Sequence, residues 1–217
     1  MTDAKADTPR RARTPSRTIV GSLLVLLYSS MVVAQSLAQG GEATFGFGTG
    51  SGTIMCSACT HSGNMGGSTL SMQVARPTSP HLRIGGTLDS WWHSRDTWER
   101  GTWDISLVAF YYPWTWRRGF FIGGGPTYST MWGTASDTGK AALSRRGWGF
   151  TAEMGYDIAP RSVVSLTPFA TYSYAWIGDI EYPLGSSISF ARGWKHEVLS
   201  IGLGVTLHER KKYGPAA

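Results

Sequence analysis

Apolar and polar positions alternate with a period of two along most of this chain. In residues 147–158, one set of alternate positions carries Trp, Phe, Ala, Met, Tyr and Ile, and the other carries Gly, Thr, Glu and Asp. Because successive Cβ atoms of a strand point to opposite faces of a sheet, this alternation predicts a β-strand with one apolar face. The same reasoning predicts eight strands, at about residues 42–53, 68–76, 81–92, 102–112, 119–132, 147–158, 163–176 and 192–208.

The connections between these strands alternate in length. Short turns are predicted at 77–80, 113–118 and 159–162, and longer polar loops at 54–67, 93–101, 133–146 and 177–191. In an antiparallel meander the long loops then emerge at one rim, and the short turns and both termini lie at the other. We call these the long-loop rim and the short-turn rim.

The composition of the two strand faces separates a membrane barrel from a soluble one. The face opposite the apolar one consists of Gly, Ser, Thr and charged residues, which a narrow barrel interior accommodates and lipid excludes. A soluble lipocalin-like periplasmic binding barrel also alternates, but with its apolar face inward. We predict an all-β fold, an eight-stranded antiparallel up-and-down transmembrane β-barrel, and keep the soluble barrel as an alternative.

The first 38 residues are organised like a secretory signal peptide. Four arginines between positions 10 and 17 precede an apolar run at 19–34, and small residues follow that run. The run is shorter than the ~20 residues that a membrane helix needs. The predicted division is a cleavable signal peptide at 1–38, a barrel at 39–209 and a short basic tail at 210–217.

Charge and composition exclude other classes. Half of the formal net charge of +6 lies in the leader, and residues 210–212 account for the remainder. The clustered basic face of a nucleic-acid-binding protein is therefore missing. Glycine supplies 28 of 217 residues, about twice its usual ~7 %, and the many aromatic residues favour sheet. No cofactor and no nucleic-acid partner are predicted.

Aromatic residues collect near the predicted strand ends. Those toward the long-loop rim are Trp91, Trp92, Trp103, Trp132, Trp148, Trp176 and Trp194. Those toward the short-turn rim are Tyr111, Tyr112, Trp114, Trp116, Phe120 and Tyr156. Amphipathic rings prefer the level of the lipid headgroups, so we expect two aromatic belts.

Charged residues also fall on the small, polar strand faces, which are predicted to line the interior. They are Arg83, Asp89, Asp104, Glu153 and Asp157. Because an isolated buried charge is costly, we expect Arg83 to pair with Glu153 or Asp157, and Asp89 with Lys195 or His196. Eight strands leave room only for side chains, which favours a plugged barrel over a porin. A proton or ion path through these residues is the alternative.

Cys56 and Cys59 lie in the first long loop, close to His61. A local disulfide, expected in an oxidising compartment, is one interpretation, and a metal site formed by Cys56, Cys59 and His61 is another. A thioredoxin-like role lacks the βαβ context. Haem attachment is rejected because Thr60 separates Cys59 from His61.

Residues 40–208 resemble the small eight-stranded outer-membrane β-barrels of Gram-negative bacteria. Segment 200–207 places Gly202 before apolar Val205 and Leu207, and resembles the C-terminal signal read by the barrel-assembly machinery. It departs from that signal because it ends on Leu207 rather than an aromatic residue and the chain continues to Ala217. The resemblance implies residence in the cell outer membrane, contact with its lipids and lipopolysaccharide, assembly by that machinery, and a monomer.

Some barrels of this type deacylate or palmitoylate lipid A, which gives an enzyme as an alternative. The deacylases use a His and a Ser two residues apart on a membrane-facing strand, together with an acid. Here His196 is followed two residues later by Val198. Since the nucleophile is missing, we predict no catalytic activity.

The charged long loops offer a third possibility, a binding or adhesion module. Lys140, Arg145 and Arg146 would lie close to anionic headgroups, which explains them without a specific partner. The predicted function is an integral outer-membrane barrel with a structural or surface-interaction role, its lumen filled by paired charges rather than an open pore.

Overall fold

The computed structural model describes residues 41–56, 63–95, 98–114, 119–135, 141–158, 163–184 and 187–208. These residues form eight strands and no helix: β1 Glu42–Met55, β2 Met65–Pro77, β3 Leu82–Arg95, β4 Trp98–Tyr111, β5 Phe120–Ala135, β6 Ala141–Tyr156, β7 Val164–Leu184 and β8 Ser187–His208. In this part of the chain no helix is long and apolar enough to cross a membrane. The predicted leader at 1–38 and tail at 210–217 lie outside the described residues.

The eight strands form a closed barrel in chain order. Each strand pairs antiparallel with the next, and β1 closes the ring by pairing with β8, from Glu42 opposite His208 to Met55 opposite Lys195. Where all eight strands pair, closure leaves no strand edge with unpaired backbone groups, as a strand structure within lipid requires. The predicted fold class is confirmed.

Several strands continue further toward the long-loop rim than the sequence predicted. Arg95 pairs with Trp98, and Leu184 pairs with Ser187. The prediction of long polar loops over all of 93–101 and 177–191 was therefore wrong in extent, because most of these residues belong to β-hairpins. Above the membrane neither strand face contacts lipid, so the apolar alternation fades while the backbone ladder continues.

The apolar faces point outward, as predicted. Leu107 and Ile201 are 62 % and 61 % exposed, whereas Arg83 and Glu153 are buried. On β8 the apolar positions run from Leu199 to Leu207, about 27 Å of strand. At a tilt of ~40° this spans ~21 Å, close to the apolar band of a membrane barrel. Such a continuous apolar exterior is incompatible with water and fits lipid.

The two aromatic belts are present, with corrections. Trp92, Trp103, Trp148 and Trp176 are exposed toward the long-loop rim, and Tyr111, Trp114 and Tyr156 toward the other rim. Trp91 and Tyr112, predicted for the belts, are buried inside the barrel. Their positions alternate in step with the inward-facing Asp89 and Phe110, and this strand parity overrides their nearness to a rim. Trp116 lies outside the described residues.

Inward-facing glycines provide space for inward-facing rings. A Cβ atom at Gly46 would lie 2.5 Å from the Phe169 ring, and one at Gly52 would lie 2.6 Å from the Trp91 ring. Neither position can carry a larger residue unless the ring moves. Part of the glycine excess is therefore a packing requirement of a narrow lumen.

Apolar clusters occupy both ends of the lumen, which the prediction of a small and charged interior missed. The cluster toward the long-loop rim contains Ile54, Met131, Ala175 and Ile177. The cluster toward the short-turn rim contains Ala75, Val108, Phe110, Tyr112 and Phe121. Some of the buried polar groups lie between these two clusters, and others lie beside the cluster toward the short-turn rim.

Candidate functional site in the barrel lumen

Polar residues from several strands meet toward the short-turn end of the lumen. Arg83 of β3 forms a salt bridge with Glu42 of β1, and its guanidinium carbon lies 4.5 Å from the centre of the Tyr112 ring. His208 Nδ1 lies 3.2 Å from Glu42 Oε2, and Ser165 Oγ contacts His208 Nε2 at 2.7 Å. A permanent cation is therefore held between a carboxylate and an aromatic face.

Asp157 anchors the other side of this arrangement. It accepts hydrogen bonds from Tyr112 Oη at 3.3 Å and from Thr167 Oγ1 at 2.7 Å. The Thr167 hydroxyl also contacts the Thr206 hydroxyl at 2.7 Å, which contacts that of Thr44 at 2.8 Å. We call the connected set Glu42, Arg83, Tyr112, Asp157, Thr167, Thr206 and His208 the short-turn network.

A second group of carboxyls lies further toward the middle of the barrel. Asp89 of β3 and Asp104 of β4 are direct partners across the two strands. Ser71 is a neighbour of Asp89, and Ser129 and Ser173 are neighbours of Asp104. Glu153 of β6 is buried nearby. We call Asp89, Asp104 and Glu153 the acid cluster.

His196 is the titratable neighbour of this cluster on β8. Its Nε2 atom lies 2.6 Å from Ser129 Oγ and 3.6 Å from Asp104 Oδ1. The acid cluster is thus held mainly by neutral hydroxyls, in contrast to the charge pairing of the short-turn network.

The similarity of this chain to known proteins lies in its fold. No protein-family model matches the chain, and no curated protein matches it. Neisserial surface protein A (NspA) is structurally similar, with a TM-score of 0.50, 16 % identity, and coverage of 76 % of this chain and 96 % of that chain. This chain has the fold of a small eight-stranded outer-membrane β-barrel.

Two further solved structures match with lower TM-scores. The attachment invasion locus protein Ail of Yersinia pestis has a TM-score of 0.47 and 12 % identity, covering 77 % of this chain and 99 % of that chain. The outer membrane protein OprG of Pseudomonas aeruginosa has a TM-score of 0.44 and 14 % identity, covering 78 % and 96 %.

All five charged residues predicted for the barrel interior lie on inward-facing positions. Arg83 forms a salt bridge with Glu42, a partner that the sequence did not predict, and Asp104 lies beside His196. The pairing of Arg83 with Glu153 or Asp157 stays a prediction. Lys195 alternates with the inward His196 and so lies on the outward face.

Several lumen residues were missed by the sequence reasoning, namely Glu42, Tyr112 and His208. Strand parity could have found Glu42 and His208, because they alternate in step with the inward-facing Thr44 and Thr206. Their meeting depends on the closure of β1 against β8, which no local pattern shows.

Cys56 is the one residue of the predicted cysteine site that lies among the described residues. Cys59 and His61 lie outside the described residues, and Cys56 follows the end of β1. Among the described residues no cysteine is free. The disulfide and the metal site therefore both stay predictions.

The described part of the chain contains two Ser–His contacts, Ser129–His196 and Ser165–His208, and neither faces lipid. Ser129 and His196 are both buried in the lumen. The same nitrogen, His196 Nε2, faces both Ser129 and Asp104. A catalytic triad instead needs the acid on the opposite ring nitrogen from the serine. This arrangement does not have triad geometry.

Proposed function

We propose that this outer-membrane barrel is a non-conducting envelope protein with a structural or surface-interaction role. The observation that carries the proposal is the filling of the lumen. Two apolar clusters lie toward its opposite ends, and hydrogen-bonded polar pairs such as Ser106–Thr127 and Ser129–His196 lie between them. A hydrated ion would have to displace packed aromatic and aliphatic side chains at both ends.

The aromatic rings of the apolar cluster toward the short-turn rim contact each other directly. Phe121 packs edge-on against Phe110, with 5.7 Å between ring centres, and lies 5.5 Å from the Tyr112 ring. Since Phe110, Tyr112 and Phe121 are all at most 2 % exposed, water has little access to them. An eight-stranded barrel is narrow enough for such side chains to fill it.

The hairpins at the long-loop rim support a surface role. β7 and β8 have 21 and 22 residues, compared with 14 in β1. Leu184 pairs with Ser187 at the hairpin tip, whereas β1 ends opposite Lys195. Residues 187–194 of β8 therefore extend beyond β1, roughly 26 Å of strand, which offers a surface for outer-leaflet lipopolysaccharide or another cell-surface partner.

The lumen chemistry supports the absence of catalysis. The Ser129–His196 pair is enclosed within the barrel, and Val198, two residues after His196, is also buried and inward-facing. Neither contact can reach an acyl chain in the surrounding lipid. A lipid A deacylase built on His196 would need its side chain on the outward face.

Conductance in planar bilayers tests the proposal. The wild-type barrel is expected to give no steady single-channel current, because the lumen is filled at both ends. A double variant, Phe110→Ala with Phe121→Ala, removes two of the aromatic rings that fill the lumen. It should increase ion leakage through the barrel. Steady wild-type currents, with the variant unchanged, would contradict a plugged barrel.

A heat-modifiability gel on membrane fractions tests the membrane assignment separately. The folded protein should be recovered with outer-membrane fractions and migrate differently before and after boiling. Recovery in the soluble fraction with identical migration would favour the lipocalin-like barrel. We also propose that assembly uses the barrel-assembly machinery and that the barrel is a monomer.

A further inference from the structure

A small cavity lies in the lumen beside the acid cluster. Its volume is about 10 Å³, and polar residues in its lining include Thr69, Ser71, Asp89, Asp104, Thr171 and Ser173. This is close to the smallest space that holds one water molecule. The cavity can therefore accept a single particle of about that size.

Four oxygen atoms of these lining residues have no hydrogen-bond partner. They are Thr69 Oγ1, Asp89 Oδ2, Asp104 Oδ1 and Thr171 Oγ1. Thr69, Asp104 and Thr171 are only 6 %, 2 % and 4 % exposed. Buried polar atoms are almost always paired in native structures, so four such atoms around one cavity indicate a bound guest.

The charge around the cavity indicates that the guest is positive. Asp89 and Asp104 stand opposite each other across two strands, where like charges repel, and Glu153 adds a third carboxyl nearby. Arg83 is engaged by Glu42 in the short-turn network. The described imidazole next to the pair is that of His196. Its Nε2 atom contacts Ser129 Oγ at 2.6 Å and lies 3.6 Å from Asp104 Oδ1, beyond hydrogen-bond distance.

We propose that this cavity binds a single dehydrated hard cation, Ca²⁺ or Na⁺, through Asp89, Asp104, Thr69 and Thr171. Carboxylate and hydroxyl oxygens are the ligands of hard cations, and Mg²⁺ retains several waters for which there is no room. Among the described residues no group of three or more His, Cys, Asp or Glu side chains is placed to hold a metal. The proposed site therefore has two carboxylates, and hydroxyl oxygens supply its other ligands.

A water molecule alone explains fewer of these observations. It could donate to the two carboxylates and accept from the two threonines, which would pair all four oxygens. It would leave the opposed negative charges of Asp89 and Asp104 uncompensated. The cation accounts for both the unpaired oxygens and the charge.

Terbium luminescence provides a direct probe. Trp91 also lines the cavity, so Tb³⁺ bound there should emit when tryptophan is excited. The folded barrel, refolded with Tb³⁺ and then freed of excess ion, should show this emission, and Ca²⁺ should compete it away. Trp91→Phe should reduce the emission while leaving cation-dependent stability intact.

Urea unfolding distinguishes Ca²⁺ from Na⁺. The midpoint of wild-type unfolding in detergent micelles is compared in calcium, sodium and choline chlorides at matched ionic strength. The bound ion should raise the midpoint relative to choline, because a ligand of the native state stabilises it. Asp104→Asn and Asp89→Asn should each abolish this shift and the terbium emission.

Asp157→Asn is the matched control, because it removes a buried lumen carboxylate that does not line the cavity. It should retain the cation-dependent shift and the emission. Equal wild-type midpoints in all three salts, together with no terbium emission above that of Asp104→Asn, would overturn the proposal. A proton or a water would then occupy the site.

Discussion

The short-turn network and the acid cluster occupy the same lumen but are bonded in opposite ways. In the short-turn network, Arg83 meets Glu42, and Asp157 accepts from two hydroxyls. In the acid cluster, two carboxylates face each other, and Asp104 Oδ1 accepts no hydrogen bond. One region is paired within the protein, and the other depends on something added to it.

The difference follows from which strands contribute. Closure of β1 against β8 brings Glu42 opposite His208 and within reach of Arg83, so charges of opposite sign meet. Asp89 and Asp104 are neighbours on the β3–β4 hairpin, and the residues closest to them are mostly serines and threonines. We infer that the first region stabilises the barrel and that the second serves to bind a cation.

The largest expected effect on stability comes from removing the positive charge of Arg83 in the short-turn network. Arg83→Met leaves Glu42 buried without its charged partner, and should lower the free energy of unfolding by about 3–5 kcal/mol. Urea titration of the folded barrel measures this loss. Arg146→Met, at an exposed outward position, should change it by less than about 0.5 kcal/mol. Similar losses for both variants would refute a special role for Arg83.

Neutralising one aspartate in each region should have opposite consequences. Asp157→Asn replaces a carboxylate oxygen, which accepts from the Tyr112 or Thr167 hydroxyl, by an NH₂ group that can only donate. This should lower the free energy of unfolding by about 1–3 kcal/mol. Asp104→Asn removes one of two opposed charges and, in choline buffer, should be neutral or stabilising. The same urea assay reports both, and the reverse order of stabilities would break the comparison.

The smallest expected difference concerns the threonines. Thr206→Val removes a hydroxyl bonded to both Thr44 and Thr167, and should cost about 1–2 kcal/mol. Thr102→Val removes a buried hydroxyl without a hydrogen-bond partner, and should change stability by less than about 0.5 kcal/mol. Equal effects would mean that the hydroxyl chain adds little to the short-turn network.

Strand parity could be predicted from the sequence over most of the barrel. The alternation in residues 147–158 assigned Trp148, Phe150 and Met154 outward and Glu153 inward, as the structure has them. The same alternation also predicts that Trp91 and Tyr112 face inward. They were assigned to the aromatic belts because they lie near a rim, and that assignment was wrong. Neighbouring residues on one strand were the reliable signal, because the pleat fixes them locally.

The sequence by itself determined which residues face lipid and which face the lumen, since this follows from a period of two and an apolar solvent. Only the tertiary structure decided which inward-facing residues contact each other in the lumen. The Glu42–Arg83 pair, the Asp104–His196 contact and the cavity beside Asp89 depend on the register and closure of eight strands. Those are set by contacts between residues far apart in the chain, which local alternation does not specify.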